Sequence, residues 1–309
     1  MAPPSVSIVM PTFNRMEFLP AAVESVRAQT LPDWELIVAD DGSDDGTLAY
    51  LESLTRDRRV RVLRLQRSGN PGAARNAGIA AARAAHLAIL DSDDLWTPSK
   101  LERQLAALRA TPDCRWSYSA FVVVDPEGTP LASERTRPWT PHGGEIFEHV
   151  VRSTASIRLP SVVASTQLVR EAGGFDEAIE RSEDYDLWLR LALRSPVVIV
   201  DAPLIRVRRH ASNENRPPGS AHIARDYSLR KMARQLSGSQ RALLVEERSR
   251  NALARAAAVA ARGGRWRSAG IVCRSLPLGW KYPRWWYGAA KALGRTFLDR
   301  RSGPPSPVR

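Results

Sequence analysis

Three short apolar runs near the start of the chain each end abruptly in a polar turn. That repetition constrains the fold more than any other feature. Val6–Met10 is closed by Pro11-Thr12-Phe13-Asn14, Trp34–Ala39 by Asp40-Asp41-Gly42-Ser43, and His86–Leu90 by Asp91-Ser92-Asp93-Asp94. Short apolar, β-rich runs bounded by turn residues read as buried strands. Between them lie segments of helical spacing: Arg15–Ala28, Asp44–Arg56 with acidic residues in its first turn, and the Ala-rich Pro71–Arg83 with proline at its start. Val60–Leu65 reads as a further strand. Strands alternating with helices make βαβ units and a parallel sheet. Ligands of open α/β sheets sit beyond the carboxyl ends of the strands, which is where the three polar turns fall.

Residues 112–215 are more mixed. Trp116–Val124 reads as a strand with a hairpin turn at Asp125–Gly128, Leu159–Ser165 as a short strand, Glu171–Phe175 as a Gly-Gly turn and Glu183–Arg194 as a helix. Val197–Val200 and Leu204–Arg208 read as two strands. This half is expected to extend the sheet and cover one side of a cleft. Asn213–Ser220 is rich in proline and glycine and marks a boundary. Helical patterns follow over 222–262, 265–274 and 284–298. The expected organisation is an α/β domain over 1–215, a basic, Trp-containing helical extension over 216–300 and a disordered tail over 301–309.

Several features exclude whole classes. The two cysteines, Cys114 and Cys273, lie far apart and outside any C-x-x-C or Cys/His ligand spacing, so neither a disulfide framework nor a structural zinc site is expected. No run of about 18 apolar residues is present, so no transmembrane helix is expected. The first residues, MAPPSVSIVMPTFN, lack the basic region and long apolar stretch of a signal peptide. A cytoplasmic location fits these features, with peripheral contact at the inner face of the plasma membrane as a further expectation.

The candidate chemistry lies in five segments. Asp91 and Asp93, one residue apart at a strand end with Asp94 beside them, can meet one divalent cation and the groups bound to it. Oxygen ligands suit Mg²⁺ or Mn²⁺. The same segment also reads as an acidic turn capping the helix that starts near Pro98. Asp40-Asp41-Gly42-Ser43 alone reads as a turn and N-cap. Carboxylates gathered at one rim, however, repel one another unless a cation or donor groups offset them. Gly69–Gly78 (GNPGAARNAG) is neither G-x-G-x-x-G nor a P-loop. A helix N-terminus there attracts phosphate, and Arg75 is one turn in, to reach an anion or lie on the surface. Glu183-Asp184-Tyr185-Asp186 carries more carboxylates than capping needs, and one pointed into a cleft is a natural general base. His210 stands alone in VRRHAS, as an ordinary polar residue or a ligand.

Taken together, SIVMPTFNR (7–15), DDGS (40–43), ARNxG (74–78), DxD (91–93), GGFD (173–176) and Glu183-Asp184 resemble the family 2 glycosyltransferases of the GT-A fold, over about residues 5–212. Phe13 stands where Tyr is more usual, and the Q-x-x-R-W motif of processive members is absent. The resemblance implies a mixed α/β sheet flanked by helices, of the nucleotide-diphospho-sugar transferase type. It implies Pro11, Thr12, Asn14, Asp41, Arg75, Asp91, Ser92 and Glu183 as substrate-binding residues. Thr12 lies against the nucleotide, Asp41 bonds the base (usually uracil), Arg75 is on the nucleotide side and Asp91 approaches the ribose. Asp93 and His210 belong to a Mn²⁺ or Mg²⁺ site, and Asp184 is the base. The implied reaction is non-processive and inverting, from a nucleotide-sugar donor, most often UDP-linked. Its acceptor is a glycan, a lipid-linked glycan or a small molecule, in bacterial surface-glycan or glycoconjugate synthesis. A nucleotidyltransferase is the alternative enzyme, but no lysine precedes Lys100. A non-catalytic sugar-nucleotide-binding protein is the other alternative.

The net charge of +12 is unevenly spread. Residues 225–309 hold 19 Lys and Arg against 4 Asp and Glu, so the preceding residues are mildly acidic. No nucleic-acid partner is expected, because no RNA-binding motif accompanies the charge. The extension reads either as helices packed on the catalytic domain or a dimer mate, or as an interfacial segment on an anionic membrane. The mixture of Trp266, Trp280, Trp285, Trp286 and Tyr287 with lysines and arginines suits the second reading.

Overall fold

A computed structural model of the chain describes residues 3–131, 139–180, 182–210, 220–261 and 264–297, the side chains of 265 and 293–297 excepted. The expected tail over 301–309 and most of the boundary over 213–220 lie outside these residues. The chain forms two compact units, Met1–Glu214 and Asn215–Arg309.

In the first unit the strands are Val6–Thr12 (β1), Trp34–Asp40 (β2), Val60–Arg64 (β3), His86–Ile89 (β4), Leu95–Trp96 (β5), Trp116–Val124 (β6), Val162–Ser165 (β7) and Val197–Arg208 (β8). Every residue of β1 and β2 is buried, as in strands covered on both faces. The chain steps outward from β1 to β2 to β3, then returns to place β4 on the other side of β1, all four parallel. That reversal opens a crevice at the strand ends. Beyond β4 the order is β7-β6-β8-β5. β7 is antiparallel to β4 and β6 antiparallel to β7, so the direction is restored, and β8 is parallel to β6. The carboxyl ends of β6 and β8 therefore reach the same rim as those of β1, β2 and β4.

The helices are Leu19–Arg27 (α1), Thr47–Leu54 (α2), Pro71–Ala81 (α3), Lys100–Ala110 (α4), Phe147–Val151 (α5), Thr166–Glu171 (α6) and Glu183–Ala192 (α7). One face of the sheet packs Val6, Ile8 and Met10 against Leu19 and Val23 of α1, and the same cluster takes in Leu101 and Leu105 of α4. On α3, Gly78 lies directly against Val9 of β1, where a Cβ would overlap a valine methyl. This close approach fixes how deep Arg75, one turn earlier, sits beneath the rim.

Some elements differ from the sequence reading, each for a local reason. α2 starts at Thr47 and has no acidic residue in its first turn, because Asp44 and Asp45 are used ahead of it. Asp45 accepts from the Thr47 N–H, and Asp44 accepts from the Asn14 amide. The Leu159–Ser165 run is divided by Pro160 into a 3₁₀ turn at Leu159–Ser161 and then β7. The two runs at 197–208 are one strand, which passes Pro203 at a pair of register shifts opposite Ala120. β5, α5 and α6 are too short to leave a periodic signal.

The second unit is helical: Ser220–Ala233, Gly238–Ala260, Arg265–Gly279 and Pro283–Phe297. The 222–262 pattern is interrupted near Gly238, which has a φ of 57°. Arg225–Glu247 and Arg248–Asp226 ion pairs, both 2.9 Å, join the first two helices. Ala256, Ile271, Val272, Trp285, Ala289 and Ala292 form a small core.

Gly78→Val forces α3 away from β1. It should destabilise the first unit by about 1–3 kcal/mol, read as a lower urea midpoint at unchanged slope.

Candidate active site

The ends of β1 and β2 form one wall of the crevice. Pro11 and Thr12 are buried, and the Thr12 hydroxyl has no hydrogen-bond partner. A buried hydroxyl without a partner at a strand end suits a ligand that supplies one. Asn14 takes a φ of 47° and clamps the next turn. Its N–H donates to Ser43 Oγ (2.9 Å), its amide donates to Asp44 (2.7 Å), and its Oδ1 accepts from the Asp44 N–H (3.0 Å). Asp40 is consumed within its own turn, accepting from the Ser43 N–H and hydroxyl. Asp41 reaches the loop ahead of α3. Its Oδ1 accepts from the Ser68 N–H and hydroxyl and its Oδ2 from the Gly69 N–H, all at 2.8 Å. A carboxylate has about four acceptor positions, so Asp41 keeps capacity for a further donor. Arg67 stacks on Phe13, its guanidinium carbon 3.1 Å from the ring centre.

The second wall is brought in by Arg75. Its buried guanidinium donates to Asp91 Oδ1 (2.8 Å) and to Glu183 Oε1, and so ties the end of β4 to the first turn of α7. Burial opposes the charge on Arg75, but Asp91 and Glu183 outweigh that and raise its pKa. The loop before α7 is fixed separately by Asn76. Its Oδ1 accepts from the Phe175 N–H (2.8 Å), and its Nδ2 donates to the Phe175 carbonyl (2.9 Å) and to Glu177 (2.8 Å). Gly174, with a φ of 64°, lies so close to Asn76 that a Cβ would come within 2.6 Å of its oxygen. Asp184, next to Glu183, is half-buried. Burial first, and then the Glu183 charge, push its carboxyl up to about 6, against the opposing pull of Arg75 and the Tyr185 N–H.

A third group stands where β5 meets β8. The Arg208 N–H donates to Asp94 Oδ1 (2.9 Å), and His210 Nε2 lies 3.1 Å from Asp93 Oδ2. Phe18 stacks on the His210 ring at 4.6 Å, and Arg15 Nε is 3.9 Å from Asp93. Burial, then the charges of Asp93 and Asp91, push the Asp94 carboxyl well above the usual range, against the Arg208 N–H that lowers it. Among the described residues no group of three His, Cys, Asp or Glu is arranged to hold a metal. Asp93 and His210 together offer one carboxylate oxygen and one imidazole nitrogen, donors that a divalent cation could take.

Arg75 therefore gathers Asp91, Glu183 and Asp184, and Asp93 pairs with His210. Ser92 is buried between Asp91 and Asp93. Asn14 and Asp41 are both engaged with neighbouring loops. The sequence reading assigns no role to Asn76, Ser68 or Arg67. Asn76 stood beside Arg75 in the ARNxG segment, and its spacing was the available signal.

Residues 7–145 match the family model described as Glycosyl transferase family 2. An uncharacterized glycosyltransferase of Rickettsia felis is 31% identical over 203 residues, 66% of this chain and 33% of that one. The chain spans about a third of that relative's length. Among solved structures, Staphylococcus aureus TarS 1–349 superposes with a TM-score of 0.67 at 17% identity, over 94% of this chain and 89% of that one. The same TarS segment has been solved in complex with UDP-GlcNAc. The mannosyltransferase PcManGT of Pyrobaculum calidifontis, solved with GDP-Man and Mn²⁺, gives 0.58 at 17% identity, over 96% and 87%. The mixed α/β fold is that of the GT-A glycosyltransferases, as the sequence resemblance implied.

Arg75→Met leaves the Asp91 and Glu183 carboxylates facing one another without their cation. Loss of one partner of a buried pair costs about 3 kcal/mol or more, so a large drop in the urea midpoint is expected, partly recovered by Arg75→Lys.

Proposed function

We propose, for a chain whose residues 7–145 match the model of glycosyl transferase family 2, that it transfers a sugar from a UDP-linked donor to an acceptor hydroxyl, with inversion at the anomeric carbon. The observation that carries this reading is the Arg75 clamp. It joins the β4 end to α7 and so sets Asp184, whose proton affinity burial and the Glu183 charge raise, near Asp91. The same rim carries Thr12 and Asp41 at the adjoining strand ends.

In this reading Thr12 and Asp41 receive the nucleoside, Thr12 through its unpaired hydroxyl and Asp41 by accepting from a base N–H. Asp91, steadied by Arg75, faces the ribose. Similarity to TarS, solved with UDP-GlcNAc, supports the uridine donor. Asp93 and His210 would hold Mn²⁺ or Mg²⁺, which when bound offsets charge gathering on the departing diphosphate. The acceptor oxygen attacks the anomeric carbon as its bond to the diphosphate oxygen breaks. The bonding pair leaves with the nucleoside diphosphate, and the acceptor proton passes to Asp184. With its pKa near 6, Asp184 is largely ionised at neutral pH yet basic enough to take that proton. Attack from the side opposite the leaving group inverts the anomeric centre. The acceptor is a hydroxyl of a glycan, a lipid-linked glycan or a small molecule, in surface-glycan or glycoconjugate synthesis.

Screening nucleotide sugars with Mn²⁺ for release of nucleoside diphosphate tests the activity directly; release from none of them overturns it. Turnover should be full above about pH 7 and fall as pH drops through 6, because the base is lost when Asp184 takes a proton. Asp184→Asn should lower kcat by about 10²–10⁴-fold and leave UDP binding in calorimetry unchanged. Asp93→Ala should weaken Mn²⁺ binding measured by electron paramagnetic resonance; unchanged binding overturns the metal assignment.

A further inference from the structure

The Arg265–Gly279 helix is apolar on two opposite sides. Ile271 and Val272 face the small core, and Ser268, Ser275 and Gly279 are buried with them. Trp266, Gly270, Cys273, Pro277 and Trp280 recur at alternating steps of four and three, which places them along one line of a helix. That line faces outward: Trp266 is 82% exposed and Trp280 55%, and Cys273 is exposed with them. The two tryptophans stand about 21 Å apart along the axis. The exposed Arg267 and Arg274 run along one flank of the line.

The neighbouring Pro283–Phe297 helix extends this surface. It turns Trp285, Ala289 and Ala292 into the core and leaves Trp286 (54%) and Tyr287 (75%) exposed. The Trp286 indole N–H donates to the Trp280 backbone carbonyl at 3.0 Å, which sets the Trp286 ring against the end of the Arg265–Gly279 helix. The Lys281 ammonium lies 5.4 Å from the Trp280 ring centre. Exposed Arg284 and Lys291 lie on the same helix as the outer aromatics. The result is a ridge of indole rings set among cations, in a unit whose charge is overwhelmingly positive.

We infer that this ridge docks the C-terminal unit on the surface of an anionic lipid bilayer. Tryptophan and tyrosine favour the headgroup level, where an apolar ring meets lipid and its polar edge meets water. Lysines and arginines beside them are drawn to anionic lipid, each by about 1 kcal/mol. Contact is interfacial rather than spanning. No described helix is long and apolar enough to cross a membrane, and Pro277 leaves the Cys273 carbonyl without its usual helical N–H. A carbonyl so placed needs water or headgroups nearby. The charge decides for lipid over a second copy of the chain, whose ridge would be equally cationic. This inference does not rest on the sugar-transfer reading, since binding is read without turnover.

The test is co-sedimentation of the full chain with vesicles of phosphatidylcholine alone and of phosphatidylcholine mixed with phosphatidylglycerol. The protein should pellet with the anionic vesicles, and added salt should release it. Trp280→Ala/Trp286→Ala/Tyr287→Ala should reduce partitioning about tenfold or more. Trp266→Ala/Tyr287→Ala, which changes the two most exposed rings, should weaken binding with an unaltered melting curve. Protein that stays in solution with anionic vesicles at low salt overturns the inference. So does unchanged partitioning of both variants. A dimer in gel filtration that the triple variant dissociates, without vesicle binding, would make the ridge a protein interface and equally overturn it.

Discussion

A single buried guanidinium holds the two halves of the first unit in register at the rim. Arg75 comes from a helix on the β1 side of the sheet, Asp91 from the end of β4, and Glu183 from a helix more than 100 residues later. None of the three charges is tolerable there alone. A buried cation needs anions, and two carboxylates this close need a cation between them. Each therefore constrains where the others sit. Asp184 takes its place from that arrangement, and burial first, then the Glu183 charge, raise its proton affinity against the pull of Arg75.

Uncharged contacts decide the geometry of the clamp. Gly78 lets α3 lie against Val9, and Gly174 lets the loop before α7 close onto Asn76. Asn76 then satisfies both backbone groups of Phe175, so the chain enters α7 at a fixed position. An amide side chain and two missing β-carbons do the positioning, and the charged residues occupy the places that result.

The parallel half of the sheet was legible because each strand is a continuous apolar run ended by turn residues, a pattern that burial on both faces imposes. The acidic turns were legible as a rim, since a parallel sheet gathers its carboxyl ends on one side. The partners within the rim were not. Asp40 and Asp41 are neighbours of the same type, yet one is spent on Ser43 and the other on Ser68 and Gly69, and only the tertiary fold separates them. Likewise Asn14 reads as a ligand-facing residue and in the structure clamps a turn. β5 leaves no signal because two residues have no period, although it is the element that sets Asp94 against Arg208.

The irregular passage of β8 beside β6 bears on how this chain can change in length. Between Ser119 and Phe121 of β6, two register shifts absorb extra residues around Pro203 before the pairing resumes at Ile205. Backbone N–H groups of a strand alternate from edge to edge, so the parity of residues between that irregularity and Arg208, the last of β8, fixes whether the Arg208 N–H meets Asp94. A one-residue insertion or deletion there would turn the Arg208 N–H from Asp94 while sparing every acidic residue of the rim. The turn at Asp125–Gly128 follows the last paired residue of β6 and has room for an added residue, whereas this inconspicuous stretch is held to its count.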